Sequence, residues 1–226
     1  MKNKKFAIIL SGCGGIDGSE IHEAVCLMIA IKLANCDYMC FALNENQKYV
    51  FKANKMEQCN EARNMLIEAS RLNHGKVYDL NKLNIDKFDA LILPGGYGMA
   101  TSYSNFIICE NNTCRKNINY NVKKEISNII NEFHKKQKPI FAGCIAPNLV
   151  NRCFSGITLA TDENFFNKEI LEKMGNKFKI CKAGDVCVDK KNKIVSVSFY
   201  MTPKVEIDTI FEESVKAVKE IIKLCK

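Results

Sequence analysis

The amino-acid sequence predicts an α/β fold: a mostly parallel central sheet with helices on both faces. Three observations carry this expectation. Short apolar runs alternate with stretches of helical periodicity along the chain, the pattern of strand–helix–strand units. A length of 226 residues with 47% hydrophobic content suits one α/β domain with a full core. No internal repeat and no long linker interrupts the pattern, so residues 1–226 read as a single domain.

The elements follow in order. The N-terminus MKNKK runs straight into Phe6–Leu10, read as the first strand. That run is too short for a signal-peptide core and has no small-residue cleavage site after it, so a cytoplasmic protein is expected. Ser19 to Ala34 reads as a helix, with Ser19 as N-cap and Ala24, Leu27, Met28 and Ile31 at helical spacing. Tyr38–Leu43 is the next strand. Glu45 to Gln58 is polar, with a small hairpin around Tyr49–Phe51, and Asn60 to Arg71 is helical. Phe88–Leu93 is a strand ending in Pro94-Gly95-Gly96. Cys109–Asn121 has no clear period and reads as a surface loop. Asn121 to Lys136 is a strongly amphipathic helix, and Pro139–Ala142 a buried strand. A helix at Glu163–Met174, a hairpin of Asp185–Val188 with Ile194–Phe199, and a closing helix at Val205–Leu224 complete the pattern. Ligands of such sheets bind outside the carboxyl ends of the strands. Three loops lie there: Ser11–Ser19, Gly95–Phe106 and Gly143–Ile145.

The segment KPIFAGCIAPNLV, Lys138 to Val150, is the most informative. A strand stops at Gly143, Cys144 follows, and helical spacing begins at Ile145. This is the layout of a nucleophile elbow, in which a tight turn exposes the nucleophile. Gly143 suits a crowded backbone position. Amides at the start of the following helix favour a thiolate and face an oxyanion. The same residues also fit a buried cysteine between a strand and a helix.

The other loops are less specific. Ser11 to Ser19 is glycine-rich but matches neither GxGxxG nor GxxxxGK[ST]. Its expected use is to bring the following helix, with Glu20 and Glu23, close to the site. These two acids are one turn apart. They read as solvated first-turn acids, or as a carboxyl set against the Cys144 thiol to hold or steer its proton. Gly95 and Gly96 offer backbone amides to an oxyanion, or an ordinary turn. Cys13 and His22 are further candidates on the substrate side. A metal held by Cys13, Cys144 and His22 has no recognised ligand spacing behind it, and a Cys13–Cys144 redox pair stays open. The histidines are His22, His74 and His134, and none follows Cys144. A Cys–His triad with a downstream histidine is therefore excluded, which weighs against protease and glutamine amidotransferase chemistry.

Composition narrows the rest. No stretch reaches the roughly 18 apolar residues of a membrane-spanning helix. The net charge of +8 is diffuse and lacks the basic stripe with interleaved aromatics that nucleic-acid sites use. The twelve cysteines form no CxxC pair and no dense framework, so most are expected reduced and buried.

Four segments together, SGCGGIDGSEIHEA, EARNMLIEASR, ALILPGGYGMATSYSNF and CIAP, resemble ElbB, the enhancing lycopene biosynthesis protein 2 family. That family lies in the ThiJ/PfpI superfamily with its class I glutamine amidotransferase-like fold. The resemblance runs from Phe6 to the closing helix. It implies a flavodoxin-like three-layer sandwich with Cys144 at the nucleophile elbow and Glu23 as its acidic partner. It places oxyanion amides at Gly95 or Gly96 and at Ile145, and implies a homodimer. It implies no cofactor. Bacterial ElbB is similar to glutathione-independent glyoxalases, so the resemblance implies conversion of glyoxal or methylglyoxal to a hydroxy acid through Cys144. Relatives with a downstream histidine use it as a third member; here the proton shuttle is unassigned. Two other roles remain open: a redox sensor whose Cys144 oxidises to a sulfinate beside Glu23, and an amidotransferase-like binding protein linked to isoprenoid metabolism.

Overall fold

A computed structural model of the chain describes residues 3–162 and 173–225. It begins with β1 (Lys5–Ile9), α1 (Ile21–Leu33), β2 (Asp37–Ala42), the short pair β3 (Phe51–Lys52) and β4 (Glu57–Gln58), α2 (Met65–Ala69) and β5 (Val77–Asp79). There follow β6 (Ala90–Leu93), α3 (Tyr97–Thr101), β7 (Ile107–Glu110), β8 (Thr113–Lys116), α4 (Lys124–Lys135), β9 (Ile140–Gly143) and α5 (Pro147–Cys153). The chain closes with β10 (Thr158–Thr161), β11 (Lys177–Ile180), β12 (Cys187–Asp189), β13 (Ile194–Val197) and a last helix, α6 (Ile207–Leu224).

Seven strands form the central sheet in the order β12-β13-β9-β6-β1-β2-β5. Every neighbouring pair is parallel except β12 with β13, the hairpin expected from the sequence. Alternation along β1 sorts its side chains onto two faces. Phe6, Ile8 and Leu10 pack with Leu27 and Ile31 of α1 and with Ile210, Val218 and Ile221 of α6. Ala7 and Ile9 pack in the other layer with Ile126, Ile130 and Phe133 of α4 and Leu149 of α5. The result is the flavodoxin-like three-layer arrangement.

Several elements differ from the sequence reading, each for a local reason. Ser19 does not cap α1, because its hydroxyl accepts the Ser11 amide at 2.8 Å. Glu20 caps instead, with its carboxylate accepting the Glu23 amide at 2.8 Å. The helix expected over Asn60–Arg71 starts only at Met65. Asn64 caps it through Leu66 and Ile67, and the preceding residue, Arg63, accepts the Gln47 amide at 2.8 Å instead of continuing a helix. The Gly95–Phe106 loop contains α3. The presumed surface loop 109–121 begins as a β7–β8 hairpin, turned by Asn111 and Asn112, both at positive φ. Cys109 and Cys114 face each other across that hairpin and form a disulfide, so the reduced state expected for most cysteines does not hold for these two. The edge strand β5 and the β10–β11 pair are short and were not anticipated. The helix expected at Glu163–Met174 lies outside the described residues except for its last two, which sit in a turn.

Tyr103 ties the end of the sheet together. It is fully buried, donates from its hydroxyl to the Leu10 carbonyl, and accepts the Leu43 amide at 3.2 Å. It thus bridges the chain just past β1 and β2, where the Ser11–Ser19 loop begins. Tyr103→Phe leaves both backbone groups buried without this partner and is expected to lower stability by about 1–3 kcal/mol. Denaturant unfolding of the two proteins checks this; equal midpoints would refute it.

Candidate active site

The strand order places β9 between β13 and β6, and the ends of these strands build the site. At the end of β9 the Cys144 amide donates to the Val197 carbonyl at 2.8 Å. Cys144 itself turns to a left-handed backbone with φ of 54°. For a residue with a Cβ this conformation costs about 1–2 kcal/mol. The chain then reverses: Ala146 donates to the Gly143 carbonyl at 2.9 Å and Pro147 opens α5. This sharp, strained turn is the geometry of a nucleophile elbow.

Glu23 reaches the same place from α1. It is fully buried, and Oε2 accepts the Gly95 amide at 2.8 Å. A Cβ on Gly95 would fall 2.3 Å from the Cys144 Cβ, 2.4 Å from Glu23 Oε2 and 3.0 Å from Cys144 Sγ. Only glycine allows carboxyl and sulfur to close on this backbone. Gly96 has φ of 101°, and a Cβ there would fall 2.3 Å from both the Glu20 nitrogen and the Gly18 oxygen. The Ser11–Ser19 loop is bonded directly to this segment: Glu20 donates to Gly95 at 3.0 Å, Tyr97 to Gly15 at 2.8 Å and Gly98 to Gly18 at 2.9 Å. The glycine-rich loop therefore seats the first turn of α1 against the end of β6.

Burial dominates the electrostatics. It pushes Glu23 up to about 8, helped by the Glu20 carboxylate and opposed by the Cys144 thiol and the Gly95 and Tyr200 amides. Oε1 is buried and closes no hydrogen bond within the protein, so the thiol and the Tyr200 amide act on the carboxyl from longer range. Burial and Glu23 likewise raise Cys144 well above the ordinary thiol value, while the amides of Gly96 and Ile145 pull it down. The expected helix-driven thiolate is thus outweighed: α5 spans seven residues, and desolvation beside a carboxyl is the larger effect.

Cys144 opens into a cavity of about 220 Å³, lined also by Gly15, Glu20, Gly96, Tyr97, Ile145, Tyr200 and Met201. This volume suits a molecule of few heavy atoms. Of the residues singled out from the sequence, Cys144, Glu23, Gly95, Gly96 and Ile145 come together. His22 does not line the cavity, but its Nδ1 lies 2.8 Å from the Tyr200 hydroxyl. Cys13 does not line it either; the charges acting on its thiol are Glu68, Arg71 and Asp17. Among the described residues no three His, Cys, Asp or Glu side chains are placed to hold a metal, so Cys13, Cys144 and His22 do not converge on one. Tyr200 is the residue the sequence reading missed. It lies three residues past β13, at a strand's carboxyl end beside β9, and that position was the available signal. A larger cleft, of about 560 Å³, lies at the opposite ends of the strands. Its Lys4 and Lys136 pair with Asp89 and Asp86, and Lys138 and Lys193 bond carbonyls. None of the elbow groups reaches it.

The fold is the flavodoxin-like one that DJ-1/ThiJ/PfpI-like proteins share. Drosophila melanogaster DJ-1beta superposes with a TM-score of 0.54 at 15% identity, over 98% of this chain and 95% of that one, a likeness of fold alone. No family model matches the chain. Whole-chain relatives are more specific. The mitochondrial ES1 protein homolog of Rattus norvegicus is 31% identical over 97% of this chain and 84% of its own length. The mitochondrial glutamine amidotransferase-like class 1 domain-containing protein 3 of Homo sapiens is 32% identical over 87% of this chain and 75% of its own. The crystal structure of an isoprenoid biosynthesis protein with an amidotransferase-like domain from Ehrlichia chaffeensis matches with a TM-score of 0.85 at 32% identity, over 97% of this chain and 99% of that one. The chain belongs to this ES1/ElbB-like family of glutamine amidotransferase-like class 1 domain proteins. The cytoplasmic location expected from the N-terminus is overturned by the curated relatives, the rat and human proteins among them, which are mitochondrial.

Ionising Glu23 is harder in the folded protein than in the unfolded chain, where such a carboxyl titrates near 4.5. Its contribution to stability is therefore complete below that pH and is lost as pH rises through about 8. Glu23→Gln removes this dependence. Relative to the native protein, the variant is expected to gain on the order of a few kcal/mol between pH 5 and pH 8.5. Thermal unfolding of both proteins across that range tests this, and parallel pH profiles would disprove it.

Proposed function

We propose that this protein is a glutathione-independent glyoxalase-like enzyme that converts small 2-oxoaldehydes such as glyoxal or methylglyoxal to hydroxy acids. One observation carries the reading: the Cys144 sulfur, which lines a cavity sized for a small molecule, meets the buried Glu23 carboxyl against Gly95.

The chemistry follows from these groups. Sulfur adds to the aldehyde carbon as Glu23 takes the thiol proton and passes it to the former carbonyl oxygen, giving a hemithioacetal. The amides of Gly96 and Ile145 face the sulfur and meet negative charge that develops beside it. Glu23 then removes the hydrogen from the thiol-bearing carbon, and returns it to the adjacent carbon. The product is a thioester of the 2-hydroxy acid. Water cleaves it, releasing the acid and restoring the thiol. Oxidation of one carbon is matched by reduction of its neighbour, so no outside oxidant is needed. A general base works best with a pKa near the working pH, and burial has raised Glu23 into that range. A redox-sensing role has less support, because burial and Glu23 hold the sulfur as a thiol, its less oxidisable form.

Cys144→Ala is expected to abolish turnover of methylglyoxal without glutathione while the fold persists. Native activity is expected to rise with pH up to about 8 as Glu23 ionises. Lactate formation measured from pH 6 to 9 checks both. Turnover persisting in Cys144→Ala would eliminate the mechanism.

A further inference from the structure

Tyr200 is a cavity residue that the sequence motifs do not single out. Its short turn, Phe199–Met201, follows β13. Phe199 holds a left-handed φ of 47°, rare for a bulky side chain, and is wholly buried against Phe141 at 5.9 Å between ring centres. With Phe199 anchored in the core, the next residue is delivered to the cavity that Cys144 opens into. Behind the phenol sits His22, on the first turn of α1, its Nδ1 2.8 Å from the hydroxyl and its side chain 48% exposed. The Glu20 carboxylate faces the same nitrogen at 3.9 Å. The chain thus runs from solvent through an imidazole and a phenol to the cavity.

We propose that the Tyr200 hydroxyl is a catalytic acid and base at the substrate's oxygens, and that His22 is the positioning residue that supports it. This rests on the oxoaldehyde reading of the site. When Glu23 takes the hydrogen from the thiol-bearing carbon, electrons move onto the neighbouring carbonyl oxygen. Tyr200 protonates that oxygen and becomes a phenolate, giving an enediol. As Glu23 returns its proton to the second carbon, the hydroxyl on the first carbon loses its proton to the phenolate, and the thioester carbonyl forms. Both groups end as they began. With its proton on Nδ1, His22 donates to the phenolic oxygen, leaves the phenolic hydrogen for the cavity, and stabilises the transient phenolate. Burial first, and then the charges of Glu20, Glu23, Cys26 and Glu206, push Tyr200 up to about 12, which keeps the phenol protonated and able to donate.

The test compares the native protein, Cys144→Ala, Tyr200→Phe, His22→Phe and His22→Asn on methylglyoxal. Tyr200→Phe is expected to lower kcat about 100-fold, within the range of general acid–base catalysis, with KM changed little. His22→Phe, which cannot donate, is expected to lose about tenfold in kcat, whereas His22→Asn, which keeps a donor there, should recover most of it. A purely structural histidine would not separate these two variants by their donor. If turnover requires Cys144 but is the same within twofold in Tyr200→Phe, the proposal fails and the oxoaldehyde reading survives. If the native protein has no turnover, the reading fails and this proposal with it.

Discussion

The buried carboxyl of Glu23, held by the Gly95 amide, is the interaction on which the site depends. An acid with no exposed surface needs partners, and among the described residues this one has a single closed side-chain hydrogen bond and a neighbouring thiol. To place it there, the first turn of α1 must lie against the end of β6. That approach is possible only because Gly96 presents no Cβ to Glu20 and Gly18. The glycine-rich loop is therefore explained without a phosphate: its backbone must run within hydrogen-bonding distance of the Gly95–Gly98 segment. The carboxyl's raised pKa then follows from its burial, and the same burial keeps the neighbouring sulfur protonated.

A second constraint comes from the two strands beside each other at the elbow. β9 and β13 run in parallel register, with Gly143 opposite Val197. Beyond that pair both chains break from extended geometry, and each carries a non-glycine residue at positive φ, Cys144 and Phe199. Conformations of this kind persist only where the surroundings over-determine them. Here the Cys144 amide is fixed by Val197 and the Phe199 ring is locked in the core. The two strained turns direct Cys144 and Tyr200 into one cavity, so the backbone strain lies next to the groups that face a ligand.

Much of the fold was legible because apolar runs over β1, β6, β9 and β13 have no competing interpretation. Cys144 was legible because strand, glycine, cysteine and helical spacing occur together. What was missed depends on contacts between segments far apart in sequence. Ser19 looked like a cap until its hydroxyl was found on Ser11. Tyr200 looked like the residue after a strand, since nothing local shows that it meets His22, 178 positions away. The disulfide hairpin did carry a local signal, the Asn111-Asn112 pair, whose residues tolerate the positive φ that a two-residue turn demands. Reading Cys109–Asn121 only for periodicity passed over it.

The charge inside the cavity also bears on what it accepts. The chain carries a net charge of +8, yet among the described residues no lysine or arginine lines this cavity. Its lining holds one carboxylate of its own, Glu20, beside a thiol, two phenols and backbone amides. A substrate bearing a carboxylate or phosphate would bring negative charge toward Glu20 and the buried Glu23 with no cation to meet it, a costly arrangement away from bulk water. A neutral carbonyl compound brings no such penalty. In the proposed reaction its oxygen becomes negative only as sulfur adds and as hydrogen leaves carbon, charge that the amides and the phenol are proposed to receive. The surface lysines therefore say little about the ligand, and a lining that offers a carboxylate and no cation among the described residues disfavours an acid relative to a neutral molecule of the same size.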